Sequence, residues 1–337
     1  MKALKTLIAT LGVALFIVGC SIDTANETDL IQIDVAEVTH SVFYAPQYVA
    51  IENGYFEEEG LEISLLGAQG ADKTMASLLS GEVEIGLMGP EASIYVYIQG
   101  SKDHAINFAQ LTKRDGSFLI SRKEEPEFKF SDLAGANILG GRKGGVPFMT
   151  LEYVVKNAGL TVGDNEEAGE ANVRSDIQFD VMAGAFIGGE GEYVTLFEPL
   201  ASQLERDGNG YIVASVGEAS GEIPYTAYSA LDSYIETNPE IIQGFTNAIY
   251  KGQQFVKQNQ ASVVATVIAP HFKEFSIEEL TTVVERYQDI DAWSSTPIMT
   301  EDSLNRLMDV MELAGELKER VDFEDIVNNT FAEQSVQ

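Results

Sequence analysis

Residues 31–63, IQIDVAEVTHSVFYAPQYVAIENGYFEEEGLEI, constrain the fold of this chain more than any other stretch. Apolar and polar residues alternate over Ile31–Glu37, which predicts a strand. Apolar residues at helical spacing follow over Ala45–Glu58, and Gly60 ends this predicted helix. A second strand is predicted to begin at Leu61. This order of strand, helix and strand indicates an α/β fold with a parallel sheet.

Five side chains suited to ligand binding lie between the first strand and the helix. They are Thr39, His40, Ser41, Phe43 and Tyr44. In an open parallel sheet, ligands bind beyond the carboxyl ends of the strands, where this loop lies. Hydroxyl groups and aromatic rings there suit a small polar ligand with a flat or apolar part.

A second strand-to-helix loop is predicted at the same edge of the sheet. Val83–Met88 is the predicted strand, Gly89 and Glu91 lie in the turn, and Ile94–Gln99 is the predicted helix. Free N–H groups at the helix start suit an acceptor on the ligand. Alternatively, the glycine only makes a tight turn and Glu91 is a solvated acid, which the helix dipole favours.

The chain then leaves this first α/β unit for a second one. Residues 113–117, KRDGS, are predicted as a charged turn, and Phe118–Ser121 as the departing strand. The return is predicted at Pro224–Ala230, which contains the candidate ligand residue Tyr225. A chain that leaves one unit and later returns has two hinge strands, so we predict a cleft between the units.

A glycine-rich loop with Arg142, Gly144 and Gly145 precedes the predicted helix Phe148–Asn157 of the second unit. Glycines let backbone N–H groups approach a ligand closely, and Arg142 can pair with an anion. The loop lacks the Lys-Ser/Thr pair of a phosphate-binding P-loop, so a nucleotide hydrolase is not expected. The alternative is a plain turn with Arg142 in solvent.

The second unit also contains a candidate ligand acceptor. Glu198 follows the predicted buried strand Tyr193–Phe197, and its carboxylate can accept hydrogen bonds from a ligand amine. It can equally cap the predicted helix Leu200–Arg206. Upstream, we predict a surface loop over Gly163–Arg174 and a strand over Ser175–Ile177.

Four helical stretches are predicted after the return: Pro239–Gln258, Ala261–Ala269, Ile277–Ile290 and Glu301–Gly315. Helices of this kind are expected to pack on the first unit. Trp293, before the fourth stretch, is predicted to belong to the core rather than to stack on a ligand.

The N-terminus has the three regions of a secretory signal peptide, which predicts export. Two lysines precede the apolar run Thr6–Val18, which is too short for a comfortable permanent membrane span. Cys20, the only cysteine, follows a small residue at the expected cleavage point. We therefore predict a signal peptide over residues 1–19 and a tether over residues 20–30. The alternative is an ordinary secreted protein with an incidental cysteine.

Charge and residue counts exclude several classes of function. The formal net charge of −32 disfavours nucleic acid and anionic lipid head groups over most of the surface. A single cysteine excludes a disulfide within the chain. The histidines His40, His104 and His271 are far apart in sequence, so we predict no metal site and no cofactor. Nucleophile-elbow, kinase and metalloprotease motifs are absent, so we predict that the chain is not an enzyme.

The segments YAPQYVAIENGYFEEEGLEI and GADKTMASLLSGEVEIGLMGPEASI resemble the N-terminal domain of solute-binding proteins of ABC importers. They are similar to the branch that binds thiamine-pyrimidine precursors, alkanesulfonates, taurine and related molecules. This resemblance implies an α/β, two-domain periplasmic-binding-protein type 2 fold with two hinge strands and a ligand cleft. Domain 1 would comprise residues 31–117 and 228–337, and domain 2 residues 118–227.

The resemblance also implies where the protein lies and what it does. Residues 17–20 resemble a bacterial lipobox, which implies a diacylated, palmitate-bearing Cys20 and a lipid-anchored protein on the outer face of the cytoplasmic membrane. The implied function is to capture a small molecule and deliver it to an ABC permease and its ATPase subunit. The family often has an acidic residue and a proline where Glu198 and Pro199 stand.

The candidate residues favour one ligand class. The rings of Phe43, Tyr44 and Tyr225 with the acids Glu91 and Glu198 suit an aromatic heterocycle bearing amino groups, such as a thiamine-pyrimidine precursor. An alkanesulfonate or taurine, held by helix N-termini and a cation, is one alternative, and a riboflavin-type solute is another. A thiamine-pyrimidine biosynthetic enzyme and a lipoprotein that only adheres or scaffolds are the alternatives outside binding proteins.

Overall fold

A computed structural model describes residues 30–337, which form two five-stranded sheets with surrounding helices. The strands of the first sheet are β1 (Ile31–Glu37), β2 (Leu61–Gly67), β3 (Ile85–Met88), β4 (Ala105–Thr112) and β10 (Thr226–Leu231). Their order is β2-β1-β3-β10-β4. β1 is parallel to β2 and β3, whereas β10 is antiparallel to both β3 and β4.

The strands of the second sheet are β5 (Ser117–Ser121), β6 (Asn137–Leu139), β7 (Asn172–Arg174), β8 (Tyr193–Phe197) and β9 (Tyr211–Ser215). Their order is β7-β6-β8-β5-β9. β6 is parallel to β7 and β8, and β5 is antiparallel to β8 and β9. The predicted α/β class is confirmed. We call the first sheet with its helices unit 1, and the second sheet with its helices unit 2.

Helices cover both sheets. Those of unit 1 are α1 (Ala45–Glu52), α2 (Tyr55–Glu58), α3 (Ala71–Ser80), α4 (Glu91–Ile98), α9 (Asp232–Thr237), α10 (Pro239–Gln258), α11 (Ala261–Ile268), α12 (Ile277–Asp289), α13 (Glu301–Leu313), α14 (Phe323–Ile326) and α15 (Thr330–Ser335). Those of unit 2 are α5 (Val146–Asn157), α6 (Phe179–Ile187), α7 (Leu200–Arg206) and α8 (Val216–Ser220). Short 3-10 turns occur at Val42–Tyr44, Phe130–Leu133, Glu166–Ala168 and Ala269–His271.

The strand β4 stands last in its sheet, yet every one of its residues is buried. Its outer edge is covered by later parts of the chain, because Asn107 forms a bridge with Val327 and Thr112 forms one with Trp293. A covered edge has no free row of backbone groups that could pair with another chain. The apolar core continues from unit 1 into unit 2, so the two sheets share buried side chains where they meet.

Several predicted elements are confirmed with their bounds, among them β1, β8, α7 and α10. The single helix predicted over Ala45–Glu58 is wrong. It is divided at Asn53 and Gly54, because Gly54 has a φ of 71°, a left-handed conformation that ends a helix.

The strand predicted over Ser175–Ile177 is wrong. The strand is β7, which pairs with β6 in a register that sets Asn172 opposite Asn137 and Arg174 opposite Leu139. The surface loop predicted over Gly163–Arg174 is therefore wrong for its last three residues. The position of β7 along the chain is set by its pairing with β6. Such pairing joins distant parts of the chain, so the local periodicity of the sequence does not predict it.

Candidate functional site

The loops that follow parallel strands meet at the interface between unit 1 and unit 2. β1 and β3 are parallel neighbours, and so are β6 and β8, so the helix-opening loops of each unit lie at one edge of its sheet. The Ser41 hydroxyl donates to the Glu198 carbonyl oxygen at 3.1 Å, and the Tyr95 hydroxyl donates to the Gly144 carbonyl oxygen at 3.1 Å. The predicted ligand loops of the two units are therefore in direct contact.

Aromatic rings fill the buried part of this interface. The ring centroid of Phe43 lies 5.8 Å from that of Phe197 in unit 2 and 5.7 Å from that of Tyr225. Tyr287 of α12 approaches Phe43 at 5.1 Å. The Trp293 indole N–H donates to the Phe43 carbonyl oxygen at 2.8 Å, so this tryptophan is buried as predicted and holds the loop in position. Tyr44, whose ring lies 5.9 Å from that of Phe43, is buried with them.

Glu91 is a buried acid at the first position of α4. The residue is 3% exposed, so the alternative of a solvated acid is wrong. Burial raises the pKa of its carboxyl to about 7, although the backbone N–H groups of Glu91, Ala92 and Val146 favour the charged form. Its Oε2 has no hydrogen-bond partner. The carboxyl folds over Gly89, where a Cβ would lie 1.9 Å from Oε2, so a side chain at this position would displace the carboxyl.

Arg142 pairs with an acid of unit 1. Its Nη1 and Nη2 donate to Oδ1 and Oδ2 of Asp72 at 2.8 and 3.1 Å. Asp72 lies in the first turn of α3, so this pair, which we call the latch, joins the units at the exposed rim of the interface. Gly144 and Gly145 complete the same loop, and Gly144 has a φ of 81°, which favours glycine.

Glu198 caps α7, as the capping alternative expects. Its Oε2 accepts from the Ser202 backbone N–H at 2.9 Å, and its Oε1 accepts from the Ser202 hydroxyl at 2.8 Å and from Arg286 at 3.1 Å. Burial raises the pKa of this carboxyl, while Ser202 and Arg286 act in the opposite direction. Its role as a ligand acceptor stays a prediction. We favour the capping role, because these partners already engage both oxygens.

His40 and Thr39 lie at the outer end of the first ligand loop, where His40 is exposed and Thr39 is half-buried. Nδ1 of His40 donates to Oε1 of Glu37 at 2.8 Å, and Nε2 donates to the His271 carbonyl oxygen at 3.0 Å. Two donating nitrogens require the charged imidazolium, and the bond to Glu37 raises the pKa of His40. His40 therefore anchors the loop to neighbouring parts of unit 1, whereas the aromatic rings face unit 2.

Asp115 is an interface acid that the sequence reasoning missed. The turn predicted as charged at residues 113–117 enters the interface, and Asp115 is 0% exposed. Its Oδ1 accepts from the Ser117 backbone N–H at 2.7 Å, and burial raises the pKa of the carboxyl to about 7. The sequence feature that could have indicated the burial of Asp115 is the shortness of this connection. Only residues 113–116 separate two fully buried strands of different sheets.

Residues 30–337 contain no group of three or more His, Cys, Asp or Glu side chains arranged to hold a metal ion. Over the same range, no helix is both long enough and apolar enough to cross a membrane. The predicted signal peptide, the predicted tether up to residue 29 and the predicted lipid attachment site, Cys20, lie outside the described residues.

The family model described as "NMT1/THI5 like" matches residues 42–262, which is more than half of the chain. The chain belongs to the NMT1/THI5-like family. The resemblance to solute-binding proteins inferred from its sequence is thereby confirmed. This NMT1/THI5-like protein is 43% identical over 309 residues to YtlA of Bacillus subtilis (strain 168), a proposed binding protein, with 92% of this chain and 91% of YtlA covered.

Two further relatives differ in what their names describe. A formylaminopyrimidine-binding protein of Halalkalibacterium halodurans is 22% identical, with 92% of this chain and all of that protein covered. A 4-amino-5-hydroxymethyl-2-methylpyrimidine phosphate synthase of Aspergillus parasiticus is 26% identical, with 65% of each chain covered.

Solved structures show that the NMT1/THI5-like chain has the predicted periplasmic-binding-protein fold. The alkanesulfonate-binding protein SsuA of Xanthomonas axonopodis pv. citri, bound to MOPS, matches with a TM-score of 0.69. The match covers 90% of this chain and 99% of that structure at 13% identity. Family and fold together identify a solute-binding protein of the periplasmic-binding-protein type.

Proposed function

We propose that this solute-binding protein captures an aromatic heterocycle bearing amino groups, of the thiamine-pyrimidine-precursor type, and delivers it to an ABC permease and its ATPase subunit. The observation that supports this ligand class most is the buried Glu91 carboxyl, whose Oε2 has no hydrogen-bond partner. Burial raises the pKa of Tyr44 and of Tyr225, and the charge of Glu91 adds to both shifts, so these side chains lie in the same part of the interface as Glu91. The formylaminopyrimidine-binding relative supports the same class.

An amino group is the partner that this carboxyl lacks. A hydrogen bond to a charged group contributes about 1.5–3 kcal/mol, whereas a buried acceptor without a partner is costly. The aromatic rings at the interface supply flat apolar faces, which suit a heterocycle more than a branched or fully polar solute.

Two arginines at the interface are already paired, which disfavours an anionic ligand. Arg142 pairs with Asp72, and Arg286 pairs with Glu198 at 3.1 Å and with Glu205 at 2.6 Å. An anion that bound to either of these two arginines would have to displace an acid first.

We also propose that unit 1 and unit 2 are the two domains of the protein, joined by residues 113–116 and 221–225. This division agrees within a few residues with the predicted domain 2 of residues 118–227. A solute that contacts both domains stabilises the closed arrangement over an open one, and this difference in affinity drives closure.

Thermal-shift screening of the purified protein against aminopyrimidines, alkanesulfonates, taurine and riboflavin tests the ligand class. We expect aminopyrimidines to raise the melting temperature, because a ligand that binds only the folded state stabilises it. Calorimetry should then show that Glu91→Gln weakens binding roughly ten- to a hundred-fold. Glu301→Gln is the matched control, since Glu301 also opens a helix, α13, but is exposed.

An alkanesulfonate or taurine is the second candidate. The backbone N–H of Val146, at the start of α5, faces the Glu91 carboxyl, and a sulfonate can replace that carboxyl at the helix N-terminus. In that case Glu91→Gln should strengthen binding, because it removes a competing negative charge. Stabilisation by taurine and by no aminopyrimidine would establish this alternative and exclude the first.

We propose a binding role rather than catalysis, because YtlA and the formylaminopyrimidine-binding protein each align with 92% of this chain, whereas the synthase aligns with 65%. Lipid anchoring through Cys20 on the outer face of the cytoplasmic membrane is also our proposal, based on the N-terminal sequence. Cys20→Ser should abolish incorporation of labelled palmitate, and unchanged incorporation would contradict the anchor.

A further inference from the structure

A buried carboxyl at the end of β1 fixes the start of the first ligand loop, residues 39–44. Glu37 is 1% exposed, and its Oε2 accepts from the Gln47 side chain at 2.8 Å and from the Tyr48 hydroxyl at 2.9 Å, both in α1. Gln47 in turn accepts from the Tyr228 hydroxyl of β10 at 2.9 Å. Oε1 of Glu37 accepts from His40. This network joins β1, the loop, α1 and β10.

His40 supplies the positive charge of this network. Among residues 30–337, no other side chain forms an ion pair with Glu37. The remaining partners of Glu37 are a neutral amide and a neutral hydroxyl. A buried carboxylate that loses its counter-charge is costly, because little water reaches it to compensate. The contact between Glu37 and His40 therefore depends on the charge of the imidazole.

The neutral imidazole cannot keep both contacts of His40. A neutral ring has one N–H, whereas Nδ1 faces Oε1 of Glu37 at 2.8 Å and Nε2 faces the His271 carbonyl oxygen at 3.0 Å. Carboxylate and carbonyl oxygens only accept, so deprotonation sets a bare ring nitrogen against one of them. The Tyr48 hydroxyl lies 3.1 Å from Nδ1, but its single hydrogen is already donated to Glu37. Loss of the proton therefore breaks one of the two anchors of the loop.

Further titratable side chains act on His40 from α1 and from residues 269–274, namely Tyr48, His271 and Glu274. The bond to Glu37 raises the pKa of His40 above its ordinary value of 6.5, although burial acts in the opposite direction. Burial lowers the pKa of His271, although Glu52 acts against this shift. Between these two pKa values, His40 is charged while His271 is neutral.

The His40 ring has water and space beside it. Its side chain is 41% exposed and lines a cavity of about 450 Å³ between α1, β2 and the turn Ala269–His271. The cavity has apolar walls formed by Ile51, Ile63 and Leu65. A neutral ring that leaves Glu37 can turn into this cavity, whereas the charged ring gains no partner from such walls.

The residues directly after His40 make the contacts to unit 2. The Ser41 hydroxyl donates to the Glu198 carbonyl oxygen at 3.1 Å, and the Phe43 ring lies 5.8 Å from that of Phe197. Because Ser41 is the next residue in the chain, a movement of His40 displaces the first of these contacts.

We propose that His40 is a positioning residue for the first ligand loop, and that the loop keeps its contacts to unit 2 only while the imidazole is protonated. This inference rests on the proposed function, since it assigns the loop to solute binding. A group whose pKa is raised in the folded state stabilises that state below its titration and loses this effect as the pH rises through it. The loop should therefore loosen on the alkaline side.

The single tryptophan of the sequence reports the loop without any solute, because the Trp293 indole N–H donates to the Phe43 carbonyl oxygen at 2.8 Å. Between about pH 5 and about pH 9, its fluorescence should show a transition with a midpoint above 6.5. His40→Gln should remove this transition, because an amide does not titrate. His104→Gln is the matched control and should retain it, since Nε2 of His104 also donates to a carbonyl oxygen, that of Asp325. A transition that is the same in His40→Gln as in the parent belongs to another group and overturns the inference.

Glu37→Gln separates a role of the charge from a role in packing. It keeps an acceptor for Tyr48 but removes the charge that favours protonated His40, so the midpoint should fall by about one pH unit or more. An unmoved midpoint contradicts the proposal. If this variant does not fold, NMR titration of the three histidine rings in the parent gives a second measurement. His40 should titrate above 6.5 together with the fluorescence of Trp293, and titration at or below 6.5 would also contradict the proposal.

Calorimetry with 2-amino-5-methylpyrimidine connects the loop to binding. Glu91, with a pKa of about 7, gains charge as the pH rises and favours the amine, so its trend has the opposite sign. The ratio of parent to His40→Gln affinity removes this shared trend. The parent should bind about three- to tenfold more tightly than His40→Gln at about pH 6 and equally at about pH 9. A constant ratio overturns the positioning role and leaves the proposed function intact. A parent that binds no pyrimidine at any pH overturns the ligand class, and the fluorescence of Trp293 then decides the role of His40 in the loop.

Discussion

Glu198 and Glu91 are both buried acids at the interface, but their surroundings differ. Ser202 and Arg286 engage both oxygens of Glu198, whereas Oε2 of Glu91 has no partner. A buried acceptor with all its partners stabilises the fold, and one without a partner is available to a ligand. We therefore expect substitutions of Glu198 to affect stability and substitutions of Glu91 to affect binding.

Glu198→Ala should lower the free energy of unfolding by about 2–4 kcal/mol, because it removes a helix cap and leaves Arg286 with one carboxylate fewer. Glu198→Gln should cost less, about 1 kcal/mol, since the amide keeps one acceptor and has no charge to desolvate. Urea denaturation measures both values, and calorimetry should show solute affinity within about threefold of the parent for Glu198→Gln. A tenfold loss of affinity without loss of stability would instead assign Glu198 to the ligand.

Among the elements, α1 and α10 pack unusually closely. A Cβ on Gly252 of α10 would lie 2.2 Å from the carbonyl oxygen of Pro46 in α1. α1 directly follows the ligand loop, so this helix contact also supports the position of Phe43 and Tyr44.

Gly252→Ala should destabilise the protein by about 1–3 kcal/mol. Alanine favours a helix over glycine by about 1 kcal/mol, but the new methyl group meets backbone, which cannot move away as a side chain can. Gly184→Ala in α6 is the matched control, because no atom lies within 4 Å of the Cβ position. It should stabilise by about 0.4–1 kcal/mol in the same urea titration. If Gly252→Ala were also stabilising, the close packing of α1 on α10 would be contradicted.

The elements that the sequence predicted well are those with a strong local signal. The amphipathic α10 and the alternating β1 have their predicted bounds, because burial of one face determines both. The position of β7 depended on its pairing with β6, and the break between α1 and α2 depended on the turn chemistry of Asn53 and Gly54.

The candidate site, too, was predictable from the sequence only in part. The general rule for strand ends predicted that the loops with Ser41, Phe43, Glu91 and Arg142 would meet, and they lie at one interface. The rule does not specify partners, so the Asp72 partner of Arg142 and the burial of Asp115 were not predictable from local sequence. Both depend on how the two units pack.

On the scale of the whole molecule, the latch joins unit 1 to unit 2, and it would have to break if the two units open as we propose. Arg142→Gln and Asp72→Asn should each weaken solute affinity by about two- to fivefold, since an exposed ion pair contributes about 0.2–1 kcal/mol. The double variant should lose no more than either single one, because both remove the same interaction. Lys251→Gln is the matched control. It breaks pairs with Glu58 and Glu59 inside unit 1. The exposure of Lys251 and Glu58, 39% and 58%, is almost that of the two latch residues, 38% and 58%.

Small-angle scattering complements these affinities. The radius of gyration of the parent should decrease when the solute saturates it, and the liganded variants should reach the same value as the liganded parent. If Arg142→Gln abolishes binding while Asp72→Asn leaves it unchanged, Arg142 contacts an anionic solute and the latch interpretation fails.

The position of β10 between β3 and β4 also affects the order in which the protein can form during synthesis. Every strand of the second sheet lies within residues 117–215, so that sheet is complete once this continuous segment has been made. The first sheet lacks a middle strand until residues 226–231 have left the ribosome, and until then β4 has no strand beside it. Contacts between distant parts of a chain form late. The second sheet should therefore fold first, and the first sheet should stay open, with its strand edges accessible to chaperones, for most of translation.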